Sequence, residues 1–419
     1  MNNLFTSSKA LKRIIDRKES FSSGVKSVCK PGNSANEERK DVTTLVGCAL
    51  RHYLILENRF APFCGDNKDY LYYAIVACSN ILFARKVSKE ESFTFLKENI
   101  EDKEILNKVT EAINNFDAGE PLISKDLDPN CLEFLSFRYN TPLWIVRMWR
   151  KHYGYKDMRK ILIANSKHFN NYARLNSEVI SEEEFEKGNN LFSKTEFDKF
   201  YLFNDKSKIK KTFQYSRHEI YVYPIPFDEM IKEGDTDTFR GIAAYAATPN
   251  GLASALAANL TSYVEMDFLI GKQQAYFETK EEKTFFNLKN IHLYEGGPES
   301  GITCFSKKVH TFFVIPDSSK FFLLRNTPDY FAHFEQNSLD CLLKDQGIAI
   351  EECSKFVEDG GYLVYYVGTI SEKESHGIVE KFLNEHSEFT LVNEKRIFPF
   401  SEYDSAGYYA VLRKAESND

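Results

Sequence analysis

Apolar residues recur at helical spacing in TTLVGCALRHYLILENRF and DYLYYAIVACSNILFARKV, which predicts a helical region over roughly the first 130 residues. The polar stretch between Val25 and Arg39, with Pro31, Gly32 and Asn33, predicts a loop. A helix is expected after Pro142 in TPLWIVRMWRKHYG, since proline suits a first helical turn, and KDMRKILIAN predicts another. NYARLN reads as extended. From about Tyr215 the pattern changes to short apolar runs, RGIAAYAA, SYVEM, NIHLY and Thr311 to Ile315, alternating with helices from Leu252, through Lys283, and over Ser338 to Phe356. A Gly360-Gly361 turn, the strand YLVYYVG, a helix opened by a Ser371-x-x-Glu374 capping box, and the strand pair FTLV and GYYAVLRK complete the pattern. The alternation predicts an α/β chain with a mostly parallel sheet, and seven strands in this order fit a doubly wound sheet better than a barrel. No internal repeat and no low-complexity segment is visible.

A chain of 419 residues, 42% hydrophobic and 27% charged, is long for one core and predicts two or three packed units. The opening MNNLFTSSKALKRIIDRKES lacks the apolar centre of a signal peptide, and no later run reaches the roughly 20 apolar residues of a membrane span. The expectation is a cytoplasmic protein with free thiols. Its eight cysteines, at 29, 48, 64, 78, 131, 304, 341 and 353, form no Cys-x-x-Cys pair, so they read as buried small apolar side chains and no metal is expected.

The net charge of -7 argues against a strong nonspecific nucleic-acid binder. Its distribution changes that picture. Between Trp144 and Arg174 the chain carries Arg147, Arg150, Lys151, Lys156, Arg159, Lys160, Lys167 and Arg174 against Asp157 as the only acid, interleaved with Trp149, Tyr153, Tyr155, Phe169 and Tyr172. A second basic cluster is Lys206, Lys208, Lys210, Lys211 and Arg217. Solvated helix faces explain most such runs; aromatic interleaving tilts these toward RNA.

RYNTPLWIVRMWRKHYG, the spaced Asn165 and Arg174-Leu175-Asn176, and DGGYLVYYVGTISEKE followed by IFPF and AGYYAVLRK resemble, in order and spacing, the RNA cytosine-5 methyltransferases. The similarity is to the bacterial small-subunit rRNA type with an N-terminal NusB-like domain, whose helix with a leucine-arginine pair TTLVGCALRHYLILENRF resembles. The resemblance implies a helical NusB-like domain binding RNA or protein over 1–130, a basic linker and RNA-recognition subdomain over 131–215, and an S-adenosylmethionine methyltransferase-like, Rossmann-like domain over 216–419.

In that family the methyl donor lies above a glycine-rich loop after the first strand, AAPGGKT, which here reads AATPNGLAS. Pro249 and Gly251 remain, Asn250 takes a glycine position and Leu252 the lysine position. The acid that would receive the ribose hydroxyls is Glu265, with Asp267 as the alternative. The implied cofactor is S-adenosylmethionine, with binding expected to be weakened by Asn250, which tolerates a left-handed backbone but adds a side chain beside the ligand.

Addition to an unactivated ring carbon needs a soft, readily ionised nucleophile, which the family supplies as cysteine in TCS, with a second cysteine in DAPCSG. The first motif aligns with Val367-Gly368-Thr369, leaving Gly368 at the thiol position. The second aligns with Ile315-Pro316-Asp317-Ser318-Ser319-Lys320, held in register by Arg325 and Pro328-Asp329, leaving Ser318 there; a shifted register leaves Lys320. The expectation is therefore an RNA-binding homologue, a pseudoenzyme associated with rRNA processing, with Arg147, Lys151, Arg174, Asn176 and Arg325 as candidate RNA contacts. The alternatives are an active S-adenosylmethionine-dependent RNA methyltransferase using Asp317 as an acid, and a protein of the same fold that has left RNA for a small molecule.

Overall fold

The computed structural model describes residues 3–29, 35–167, 170–187, 190–205, 208–234, 241–248, 251–260, 265–305, 307–321, 324, 327–334 and 338–416. The chain divides into two compact units, one of residues 1–167 with 323–336, the other of 168–322 with 337–419. The stretch 131–215 is therefore shared between them.

The first unit is helical. Helices Asn3–Arg17, Ala35–Arg51, Tyr53–Cys64, Lys68–Ser79, Lys89–Asn99 and Lys103–Asp117 bury Leu11, Val46, Leu56, Phe60, Ile75, Phe95 and Ile113 in one core. Apolar burial of this kind stabilises by about 1.5–3 kcal/mol per large side chain. Two of their starts are capped by side chains: Ser88 and Glu91 form a reciprocal capping box, and Asp102 accepts from the backbone of Glu104 and Ile105. Of the expected loop between Val25 and Arg39, Val25 to Val28 belong to the helix Phe21–Val28, capped by Ser20, and the next helix starts at Ala35; Pro31, Gly32 and Asn33 lie outside the described residues. Leu143–Asn165 is two helical segments joined at Gly154, whose φ of 73° breaks the run, in agreement with the two predicted helices. Within the same unit Asp329 accepts from the backbone N–H of Phe21 at 2.8 Å, and Phe331 stacks on Tyr53 with ring centroids 5.0 Å apart.

The second unit holds two sheets. The smaller is antiparallel, in the order β2-β3-β1-β4, from β1 (Asn171–Leu175), β2 (Phe192–Lys194), β3 (Phe200–Phe203) and β4 (Ile220–Tyr221). The larger comprises β5 (Ile242–Ala246), β6 (Met266–Ile270), β7 (Ile291–Glu295), β8 (Val309–Ile315), β9 (Val357–Val367), β10 (Phe389–Ile397) and β11 (Gly407–Lys414). Its order is β10-β11-β9-β8-β5-β6-β7, with β5 to β9 parallel and β11 antiparallel to both neighbours. This is the doubly wound, seven-stranded methyltransferase-type sheet. Alternate residues enter opposite cores: Ala243, Tyr245, Phe312, Val314, Leu363 and Tyr365 on one face, Ile242, Ala244, Phe313, Ile315, Val364 and Tyr366 on the other. Strands buried on both faces are mostly apolar: β5 is IAAYA, and in β8 the two buried polar residues of VHTFFVI have partners, His310 beside Glu358 and Thr311 donating to the Gly234 carbonyl.

Three local expectations change. Of the strand read as SYVEM, Ser262 to Val264 lie outside the described residues; the described strand is Met266–Ile270, with Asp267 half-buried among buried Met266, Phe268, Leu269 and Ile270. Gly360-Gly361 lies inside the 11-residue β9, where the pairing with β8 shifts register. Gly360 has φ +78°, and a Cβ at Gly361 would stand 2.6 Å from the His310 carbonyl oxygen, so both glycines serve a bulge. The Ser371-x-x-Glu374 capping box does not form: the helix begins at His376, and the Glu374 side chain turns inward to other partners.

Candidate functional site at the carboxyl edge of the sheet

Strand order reverses between β5 and β8, so the loops beyond their carboxyl ends open the crevice in which doubly wound sheets hold ligands. After β5, Gly251 has φ +85°, and a Cβ there would stand 2.8 Å from Cβ of Tyr223, so glycine is required for conformation and for close approach. Leu252, at the first position of the following helix, is fully buried in the core. Pro249 and Asn250 lie outside the described residues.

After β6 the chain passes through Gly271 to Lys272. The Gly271 N–H donates to the Ala246 carbonyl at 3.0 Å, and the Tyr245 hydroxyl lies 2.8 Å from where a Cβ of Gly271 would be. The Lys272 ammonium then reaches the carboxylate of Asp317, which follows β8, and Lys320 reaches the same carboxylate at 3.1 Å. Burial works to raise the Asp317 carboxyl, but the two lysines outweigh it and hold the group below its ordinary value.

Ser318, 8% exposed, donates its backbone N–H to Asp317 at 3.1 Å. Ser319 donates its N–H to Glu374 Oε1 at 2.7 Å and its hydroxyl to Oε2 at 2.6 Å, and its Oγ lies 2.9 Å from Oγ1 of Thr369. Gln346 ties the group together, with Nε2 donating to Glu374 Oε1 at 3.1 Å and to the Asp317 carbonyl at 2.9 Å. Burial pushes the Glu374 carboxyl above its ordinary value, against the hydrogen bonds it accepts. Since Ser319 and Thr369 touch, the turns after β8 and β9 are neighbours, and Ser318 and Gly368, one residue before each, are brought to the same edge. Neither turn carries a thiol.

The cysteines divide: Cys64, Cys78 and Cys353 are buried, Cys29, Cys48, Cys131 and Cys304 are partly buried, and Cys341 is exposed, so burial does not describe them all. Cys353 sits in the core beside the sheet, where burial pushes its thiol well up. Among the described residues no cluster of three or more metal-ligating side chains occurs, and no helix is long and apolar enough to cross a membrane.

Other predicted residues lie elsewhere. Glu265 precedes β6, so it stands at the amino edge rather than the donor edge, exposed and 2.6 Å from Nε2 of His292. Asp267 is inside β6, accepting from the Tyr294 hydroxyl at 3.3 Å. Glu265 and Asn176 line a cavity of about 470 Å³ at that amino edge, with His218, Tyr221 and Phe286. The first charged residue after β6 at the carboxyl edge is Lys272, of opposite charge to the expected acid.

Arg174 is not a surface contact. Its side chain is 7% exposed, pairs with Asp228 at 2.8 Å and lies over the ring of Phe200 at 5.5 Å. Asn176 is likewise buried, its amide donating to the His218 carbonyl at 2.9 Å and its oxygen accepting from the Glu178 N–H at 3.2 Å. Arg325 lies outside the described residues. In the helical unit, Arg147, Arg150, Lys151, Lys156, Arg159, Lys160 and Lys167 are all exposed. Arg147 pairs with Glu133 at 3.1 Å and Lys160 with Asp157 at 2.9 Å, across surfaces where such pairs hold charges loosely.

Sequence reasoning missed Lys272, Ser319, Gln346 and Asp228. A Gly-Lys step directly after the apolar run Phe268-Leu269-Ile270 was the available sign of the first; the others carry no local signature.

No family model matches the chain, and no curated protein matches it. Solved structures do. The structure of PH0851 superposes with a TM-score of 0.74 at 14% identity, covering 99% of each chain. A methyltransferase homolog protein from Pyrococcus horikoshii gives 0.58 at 16% identity over 69% of this chain and 100% of that one. NSun6 from Pyrococcus horikoshii, solved with SFG, gives 0.58 at 13% identity over 66% of this chain and 99% of that one. At these identities the likeness is one of fold: this chain has the methyltransferase-type fold of those proteins, and across its length it is built like PH0851.

Proposed function

We propose that the chain is an RNA-binding member of the RNA cytosine-5 methyltransferase family in which methyl transfer has been lost. The observation that carries this reading is the carboxyl edge itself. Two lysines share one carboxylate at Asp317, and the turns that should present thiols present Ser318 and Gly368. The donor is a sulfonium, already cationic, and after β6, where the family places an acid for the ribose hydroxyls, this chain has Lys272. A cation there in place of the family's acid supports weakened binding of S-adenosylmethionine, although NSun6 of the same fold was solved with SFG.

The loss of both thiols removes covalent activation, because a serine hydroxyl is far less acidic and glycine offers only hydrogen. Asp317 is a poor substitute as a proton donor, since its two lysines keep it ionised. That weighs against an active enzyme with an atypical site.

The RNA part of the reading rests on the motif resemblance and on the exposed basic face of 143–167, interrupted by Gly154 and carrying the half-buried rings of Tyr153 and Tyr155. A structured RNA, such as an rRNA segment, is the proposed partner, with the helical unit as a NusB-like RNA- or protein-binding domain over 1–130. A titration with S-adenosylmethionine separates the possibilities: the reading predicts no saturable heat at millimolar donor, and a low-micromolar affinity would overturn the loss of donor binding.

A further inference from the structure

Phe213 is 66% exposed, the highest value for a large apolar side chain among the described residues. Its exposure is built rather than loose. The buried hydroxyl of Thr212 caps the short helix Phe213–Ser216 by accepting the Tyr215 N–H at 3.2 Å, and the Tyr215 ring stacks on Phe285 at 4.9 Å and 13°. With Thr212 and Tyr215 anchored inward, Phe213 is held outward.

The surroundings are cationic. The Arg217 guanidinium lies over the Phe213 ring at 5.2 Å, and Lys210 lies 6.0 Å from the centroid of Tyr215. Lys208, Lys210 and Lys211 are exposed on the preceding turn, which buried Ile209 pins. Glu219 offsets part of this charge by pairing with Arg217 at 3.1 Å.

A rigid ring in a cluster of cations suits a ligand that offers flat π-faces and regularly spaced anions together. A lipid surface would call for a wider apolar patch, whereas the residues flanking Phe213 are Lys211, Gln214 and Ser216. We propose that Phe213, with Arg217, Lys210 and Lys211, is a stacking platform for an unpaired base of single-stranded RNA. The proposal rests on the RNA-binding reading and deepens it, adding a contact on the sheet-containing unit that reads unpaired nucleotides.

The test measures binding of the full chain to a short oligouridylate and to a fully paired RNA hairpin stem, for the parent, Phe213→Ala and Phe213→Tyr. Loss of one base-stacking partner should weaken the oligouridylate about tenfold. The expected pattern is that Phe213→Ala does this, leaves the stem unchanged, and is rescued by Phe213→Tyr. In Phe213→Trp, oligouridylate should quench fluorescence beyond any change in the parent, since Trp144 and Trp149 belong to the other unit. If the parent binds RNA and Phe213→Ala binds the oligouridylate equally well, the platform is refuted while the RNA reading stands. If the parent binds neither RNA, both fall. Binding of anionic vesicles that depends on Phe213, without oligouridylate binding, overturns the platform in favour of a lipid surface.

Discussion

Removing the Glu374 carboxylate tests whether the turns after β8 and β9 are held by the network described above. In Glu374→Ala the N–H and hydroxyl of Ser319 and one amide hydrogen of Gln346 lose their acceptor at positions closed to water. An unsatisfied buried donor costs about 1–3 kcal/mol, and the Ser319 hydroxyl can turn to Thr369, so the expected loss is about 3 kcal/mol. Glu374→Gln keeps one acceptor oxygen and lets its amide donate to Ser319 Oγ, so it should cost under about 1 kcal/mol. The pH dependence has a definite sign. Because burial raises the folded-state carboxyl above its unfolded value, the folded protein holds that proton more tightly. Glu374 then favours folding most at low pH, and its contribution declines as pH rises from the unfolded value through the folded one. Urea unfolding of the three chains, followed by circular dichroism across that interval, is the assay. The reasoning fails if Glu374→Ala unfolds within about 0.5 kcal/mol of the parent, or if Glu374→Gln is the less stable variant.

Arg174→Ala leaves Asp228 without its cation, and since breaking a buried pair costs about 3–5 kcal/mol, thermal unfolding should show a marked loss of stability. Reversing Arg150, Lys151 and Lys156 to glutamate should weaken binding of structured RNA and flatten its salt dependence by about two units or more of log-log slope, read by filter binding at several salt concentrations; an unchanged slope marks that face as solvated surface. Lys272→Glu should raise affinity for S-adenosylmethionine in calorimetry by removing a repelling cation, whereas Leu252→Lys, the change suggested by the family loop, should destabilise because that position is fully buried; equal donor affinity of Lys272→Glu and the parent counts against Lys272 as the obstruction.

The larger sheet was legible because the short, mostly apolar runs of β5, β6 and β8 are interspersed with helical stretches, and because YLVYYV and YYAVL are continuous apolar runs, as suits interior strands buried on both faces. The position of β6 was misread for a physical reason. In SYVEMDFLI the apolar residues are denser in the second half, at Met266, Phe268, Leu269 and Ile270, as suits a strand covered on both faces, and Asp267 among them obscures it. That shift of a few residues moved Glu265 to the wrong edge and hid Lys272. The smaller sheet escaped apart from NYARLN, since its strands are only 2 to 5 residues long. Arg174 looked like an RNA contact because its partner Asp228 lies 54 residues away, and a charge whose counter-ion is distant in sequence reads as free. Glu374 looked like a helix cap for the same reason: Ser319 is 55 residues from it. The missing thiols needed no structure, because Gly368 and Ser318 can be read directly from the chain.

The central claim is that the chain holds RNA without methylating it. Structured RNA incubated with the unmodified protein and methyl-deuterated S-adenosylmethionine, captured as the protein complex and digested to nucleosides, can be assayed by mass spectrometry for both retention and label. A nucleophile absent from its bonding position removes several orders of magnitude in rate, so the account predicts retained RNA with deuterated 5-methylcytosine no higher than in a protein-free control. Deuterated 5-methylcytosine above that control, or RNA that is not retained, would contradict it.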